Sequence, residues 1–200
     1  MAGSPNGRIT EPEGASRDRL SIGLRRASWA DLLGVLLGVG SIFVAWQVSA
    51  GTYPGGRFSY TYYLYGTQCA AFNATTTCTA ATDLAAPLRF SEVLMIAAVL
   101  FGVVAWAAAR AAGRGGPRGE SATAPSIGAA MAAGIGALSA PLLYVEYSYS
   151  QGLGLWTAPS AAGVGWYLAV LAAAALWLAA AVAGRARHRY LQSEGAPPRR

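Results

Sequence analysis

Few side chains in this sequence could do chemistry. It has two cysteines, Cys69 and Cys78, one histidine, His188, and nine acidic residues. Eight residues lie between the cysteines. Such a pair could be redox-active, could hold a metal, or could form a structural bridge. Membrane thiol oxidoreductases use a close Cys-x-x-Cys pair with a second pair or a partner, and neither is present. A metal centre needs three or four ligands within reach, and His188 sits among arginines, far along the chain from both cysteines. The same lone histidine leaves no workable Ser-His-Asp set. No glycine-rich phosphate loop follows a strand. These residues imply no enzyme, no catalytic residue, no metal and no cofactor.

The acidic residues are placed at edges. Asp31, Glu92 and Glu146 lie near the ends of apolar runs, an ordinary interfacial position. With uncharged span centres expected, a proton or ion pump is disfavoured. Asn73-Ala74-Thr75 matches the glycosylation acceptor pattern, which has meaning only on an outer surface.

The elements that would hold these residues are mostly apolar. Hydrophobic residues make up 54% and charged residues 12% of the chain, and its mean hydropathy is +0.36. Soluble domains usually carry about 25% charged residues, so the composition implies an integral membrane protein. Four apolar runs, 30–48, 90–109, 127–145 and 164–183, are the expected spans. At about 1.5 Å per residue each approaches a hydrocarbon thickness of about 30 Å. The first run is longer than a signal-peptide core and follows a long polar lead, so it is expected to remain a span. Residues 1–28 read as a disordered tail and 185–200 as a basic tail. Residues 49–89 and 146–163 are the connecting loops on the other side.

Charge sets the orientation. All fifteen basic residues are arginine, and thirteen fall on the side of the termini. Only Arg57 and Arg89 fall opposite. This asymmetry places both termini in the cytoplasm of a multi-pass protein of the plasma (cytoplasmic) membrane. It also explains the net charge of +6 without nucleic acid.

The long outer loop is the polar part with a β pattern. Phe58, Tyr60 and Tyr62 alternate with Ser59 and Thr61, which predicts a strand with one aromatic and one hydroxylated face. Tyr63, Leu64 and Tyr65 could extend it, with Gly66 ending or bulging it. The threonine-rich stretch 74–79 could return as a second strand. Outside the cell, oxidation favours a Cys69–Cys78 bridge, which contributes about 2–3 kcal/mol for a short loop in the chain-entropy treatment. Tyr60, Tyr62, Tyr65, Phe72 and Trp156 are the candidate contact residues, serving as interface anchors or as a headgroup belt. Gly34 and Gly38, and Gly128, Ala132 and Gly136, form small-residue faces for close helix packing.

Several of these features resemble the claudin and peripheral-myelin-protein superfamily. Trp46 closes the first run, where that family has a tryptophan. Tyr63-Leu64-Tyr65-Gly66-Thr67-Gln68-Cys69 lies where claudins carry Gly-Leu-Trp-x-x-Cys, and Cys78 follows at a family-like spacing. Asp83-Leu84, Leu94-Met95, Glu146-Tyr147 and Gly165-Trp166 are similar to the flanks of its later spans. The Gly-Leu-Trp itself is absent, and Glu92 stands near a common arginine. The resemblance implies a left-handed four-helix transmembrane bundle under a small extracellular antiparallel sheet. Four strands would come from the first outer loop and one from the second, near 153–157. It implies self-association, adhesion or barrier formation through the outer β-layer, with the lipid bilayer and a second copy or another membrane protein as partners. An accessory subunit of a transporter, channel or envelope complex is the alternative, using the small-residue faces. A small transporter or membrane redox protein is the third.

Overall fold

The computed structural model describes residues 13–53, 56–80, 85–112, 123–150 and 160–194. Four helices carry a five-stranded sheet. In chain order the elements are α1 (Glu13–Phe43), β1 (Ala45–Tyr53), β2 (Gly56–Tyr63), β3 (Thr67–Phe72), β4 (Thr75–Ala80), α2 (Ala85–Ala112), α3 (Thr123–Ser150), β5 (Ser160–Ala162) and α4 (Val164–Glu194). Three stretches are long and apolar enough to cross a membrane: Asp18–Phe43, Arg89–Ala112 and Val164–Gln192. A shorter apolar stretch, Thr123–Ser139, lies in α3.

The helices alternate in direction, and each packs mainly on its two neighbours in the ring α1-α2-α3-α4. All strands sit at one end, so the start of α1 and the end of α4 meet at the other. The interior is built from small residues. Ala98, Ala105, Ala129, Ala133, Ala172 and Ala179 are buried, whereas Leu36, Phe43, Val93, Leu100, Leu138 and Leu178 face outward. A Cβ at Gly34 would lie 2.6 Å from Leu176 of α4, and one at Gly38 3.1 Å from Val99 of α2. Gly136 meets Leu94 and Met95, Gly128 meets Phe101, and Ala132 lies in the core. The small-residue faces are therefore filled by the chain's own helices.

The sheet is antiparallel, in the order β4-β3-β2-β1-β5. The period-two stretch at Phe58–Tyr62 lies inside β2 as expected, but the strand stops at Tyr63. Leu64-Tyr65-Gly66 then make a three-residue turn with Gly66 at φ 77°. A left-handed residue closing such a loop is the glycine position of this hairpin class. The β3–β4 hairpin turns at Asn73, φ 53°, a conformation that asparagine tolerates.

Several expected boundaries move. The first apolar run does not stay one helix to residue 48: α1 ends at Phe43, and Trp46, Gln47 and Val48 belong to β1. Residues 13–28, expected as disordered tail, form the first half of α1, and 185–194 continue α4. Leu24 and Ala27 of α1 pack there on Ala183 and Ala109, an apolar seam that stabilises helix beyond the hydrophobic run. The fifth strand is Ser160–Ala162; the expected strand at 153–157 lies outside the described residues.

Candidate functional site: the sheet and its seat

Two tryptophans at the sheet end each supply a donor to a helix carbonyl, Trp46 of β1 seating the sheet on α1 and Trp166 tying α4 to α3. α1 ends at Phe43, which leaves its last carbonyls without helical partners. The Trp46 indole Nε1 donates to one of them, Ser41 O, at 2.6 Å. Trp46 is the extra residue of an irregularity in the β1–β2 register, between Ala45 and Gln47. Such bulges re-aim a side chain, and here Trp46 is fully buried among Leu64, Met95, Ala137, Ala169 and Ala172. The second tryptophan answers a proline. Pro141 has no N–H, so the Ala137 carbonyl one turn earlier loses its helical donor. Trp166 Nε1 donates to that carbonyl at 2.9 Å.

Two glycines let the backbones meet. Gly163 N–H donates to Trp46 O at 2.7 Å. A Cβ at Gly163 would come within 2.2 Å of Ala45 O, and one at Gly165 within 2.5 Å of Val44 O. Leu64, at the tip of the β2–β3 turn, is also fully buried. The hairpin tip is thereby plugged into the helix ends.

Pairing sorts the sheet residues into two faces. Phe58, Tyr60 and Tyr62 share one with Phe72, which pairs with Phe58. Phe72 stacks on Phe58 at 6.5 Å and meets Tyr60 edge-on at 6.0 Å. Cys69 pairs with Thr61 on one side and with Cys78 on the other, so the disulfide lies on the hydroxylated face. The Cys69–Cys78 bridge is formed, with Cα atoms 4.1 Å apart.

The five contact candidates do not form one patch. Tyr60 and Phe72 belong to the aromatic cluster. Tyr62 packs instead against the core around Trp46. Tyr65 stands at the opposite end of β2, against Phe43 at 6.5 Å and Tyr63 at 5.3 Å. Trp156 lies outside the described residues. Asn73 is engaged in its turn: its Oδ1 accepts from Arg57 N at 3.0 Å.

β4 forms one edge of the sheet, and every residue in it is exposed. It reads TTTCTA, with no charge and no proline. The 4.1 Å spacing of Cys69 and Cys78 is that of a non-hydrogen-bonded antiparallel pair, and alternation gives Thr76 the same status. Thr76 and Cys78 therefore direct their N–H and C=O groups away from β3.

The far end of the bundle holds what sequence reasoning missed. Asp31 is not at a wet edge: it is fully buried, with Ser126 of α3 beside its carboxylate. Ser28 and Thr123 are also buried, and Arg187 Nη1 donates to Thr123 Oγ1 at 3.3 Å. Trp29, Trp106 and Arg110 mark the surface at this level. The Arg110 guanidinium lies 5.8 Å from the Trp29 ring and 5.3 Å from the Trp106 ring. Hydropathy placed Asp31 near the start of a run, but the longer α1 carries it inside the bundle. No protein-family model matches the sequence, and no curated protein matches it.

Proposed function

We propose that this is a four-span membrane protein with cytoplasmic termini that associates with further copies of itself through its outer sheet, in the manner of the claudin-like superfamily it resembles. The observation that carries the reading is β4. A six-residue strand whose outer edge is unpaired among the described residues, with no charge and no proline, is a template for another strand. Proteins that avoid edge pairing use charges, prolines, bulges or covers, and a disulfide holds this strand in place instead. The exposed Phe72, with Tyr60 beside it, adds aromatic surface next to the edge. Membrane placement is supported by the large apolar residues on the outside of an alanine-rich interior, a distribution suited to lipid and costly in water. The arginine asymmetry supports the orientation. The filled glycine faces leave an accessory partner without the docking surface it was expected to use.

The test is capture between two differently tagged populations. Thr76→Pro removes an outward N–H and leaves the β3–β4 ladder intact. It should reduce capture tenfold or more, as should Tyr60→Ser with Phe72→Ser, since interface aromatics contribute on the order of 2 kcal/mol each. Capture that survives both changes would sink the association reading. Orientation is checked in the same cells with a Cys-free background. Cysteine placed at Ser59 should react with an impermeant maleimide, and cysteine at Ser16 only after lysis.

A further inference from the structure

A second surface lies at the opposite end of the bundle. Between α1 and α4 runs a groove of about 540 Å³, bordered by Arg19 and Arg26 on α1 and by Arg185 and Arg189 on α4. Arg19 and Arg26 are seven residues apart and Arg185 and Arg189 four, so each pair lies along one helix face. The two stripes are drawn together by Gly23. A Cβ there would sit 2.7 Å from the Ala186 Cβ, so glycine allows the helices to approach at the groove. No carboxylate lines it among the described residues. Arg26, Arg185 and Arg189 bring three guanidinium groups to one groove, an arrangement that attracts an anion.

We propose that this groove binds the headgroup of an anionic phospholipid, an inference that rests on the membrane reading above. Three observations select a lipid. Arg26 lies one turn from Trp29, at the level of the Trp29–Arg110–Trp106 belt, which is where a headgroup would sit. The groove also has an apolar wall, Leu20 and Val182, suited to the first carbons of an acyl chain. Arginine is the side chain that grips phosphate through paired donors, and Tyr190 and Gln192 line the same groove. Basic pockets between helices on the cytoplasmic side are a general solution for anionic headgroups.

The experiment uses the full chain in nanodiscs of phosphatidylcholine, and of phosphatidylcholine with a minority of phosphatidylglycerol. The melting temperature should rise by a few degrees with phosphatidylglycerol. Native mass spectrometry should show one retained phosphatidylglycerol. Arg26→Gln with Arg189→Gln should weaken that retention about tenfold or more, at about 1 kcal/mol per arginine. Its melting temperature in phosphatidylcholine alone should match the wild type. Arg57→Gln with Arg89→Gln, at the sheet end, should leave retention unchanged. Equal stabilisation by phosphatidylcholine and phosphatidylglycerol would overturn the site, as would retention indifferent to the Arg26 and Arg189 changes. The same rise from inorganic phosphate in phosphatidylcholine discs would overturn the lipid assignment. Should the double variant fail to fold, Arg26→Lys and Arg189→Lys should fold and keep most of the retention. Failure of the wild-type chain to enter phosphatidylcholine discs would instead remove the membrane reading, and the site with it.

Discussion

The two ends of the bundle are closed by opposite means. At the sheet end, directional hydrogen bonds to backbone carbonyls make the joint: two indole N–H groups cap helix carbonyls, and the Gly163 N–H bonds Trp46 O across a contact too close for a Cβ. At the other end, side chain meets side chain. Leu24, Ala27, Ala109 and Ala183 form an apolar seam, with arginines along its margin. The first arrangement depends on directional bonds and fixes one geometry. The second depends on volume, which neighbouring side chains can absorb in part. An edge proposed to receive a partner strand calls for the first kind of rigidity, and a proposed headgroup groove works with the second.

The sharpest way to break this contrast is at Gly163. Gly163→Val places atoms where Ala45 O already lies, and should cost about 3 kcal/mol or more. In a chain of this size that lowers the melting temperature by roughly 8 °C. An unchanged transition would show that the seat is not held by backbone fit. A smaller effect is expected from Cys69→Ala with Cys78→Ala, about 2–3 kcal/mol by the chain-entropy treatment. Hydrogen exchange should place the loss in β3 and β4 and spare the far ends of α1 and α4. Protection lost throughout α1 would show that the two ends are coupled. The smallest is Gly23→Ala, at about 1 kcal/mol, because only the Ala186 methyl stands in the way. It should widen the groove and weaken phosphatidylglycerol retention without touching the sheet, and a melting change as large as that of Gly163→Val would erase the distinction between the ends.

The readable parts of this fold were those with a strong local period or a covalent rule. Alternation at Phe58–Tyr62 signalled β2, and two cysteines in a polar loop expected to face outward signalled their bridge. The end of α1 was hidden because hydropathy does not separate helix from strand: Trp46 and Val48 are apolar in either. From Asp18 onward this stretch looks polar because its apolar contacts with the bundle run along one stripe, Leu24 and Ala27 with the partly buried Leu20 beside them. Tyr62 looked like the other aromatics of its strand, and only the position of the helix ends turns it into the core. The role of Trp166 needed Pro141, twenty-five residues earlier, to be placed one turn beyond Ala137. The arginine groove needed α1 and α4 side by side. The arginines were legible as charges, and their convergence was not.

The two edges of the sheet are unequal, and this sets a rule of symmetry. β4 offers six residues, while β5 has three and leads through Gly163 straight into α4. Two copies joined antiparallel along β4 would be related by a two-fold axis, each giving the other the same surface. The merged sheet would then end at both sides in β5, which leads at once into α4. Pairing of this kind closes at two and does not grow into a fibre. A longer row of copies would need a heterologous contact elsewhere on the molecule, so an observed even-numbered assembly and an observed open polymer would assign different work to the same edge.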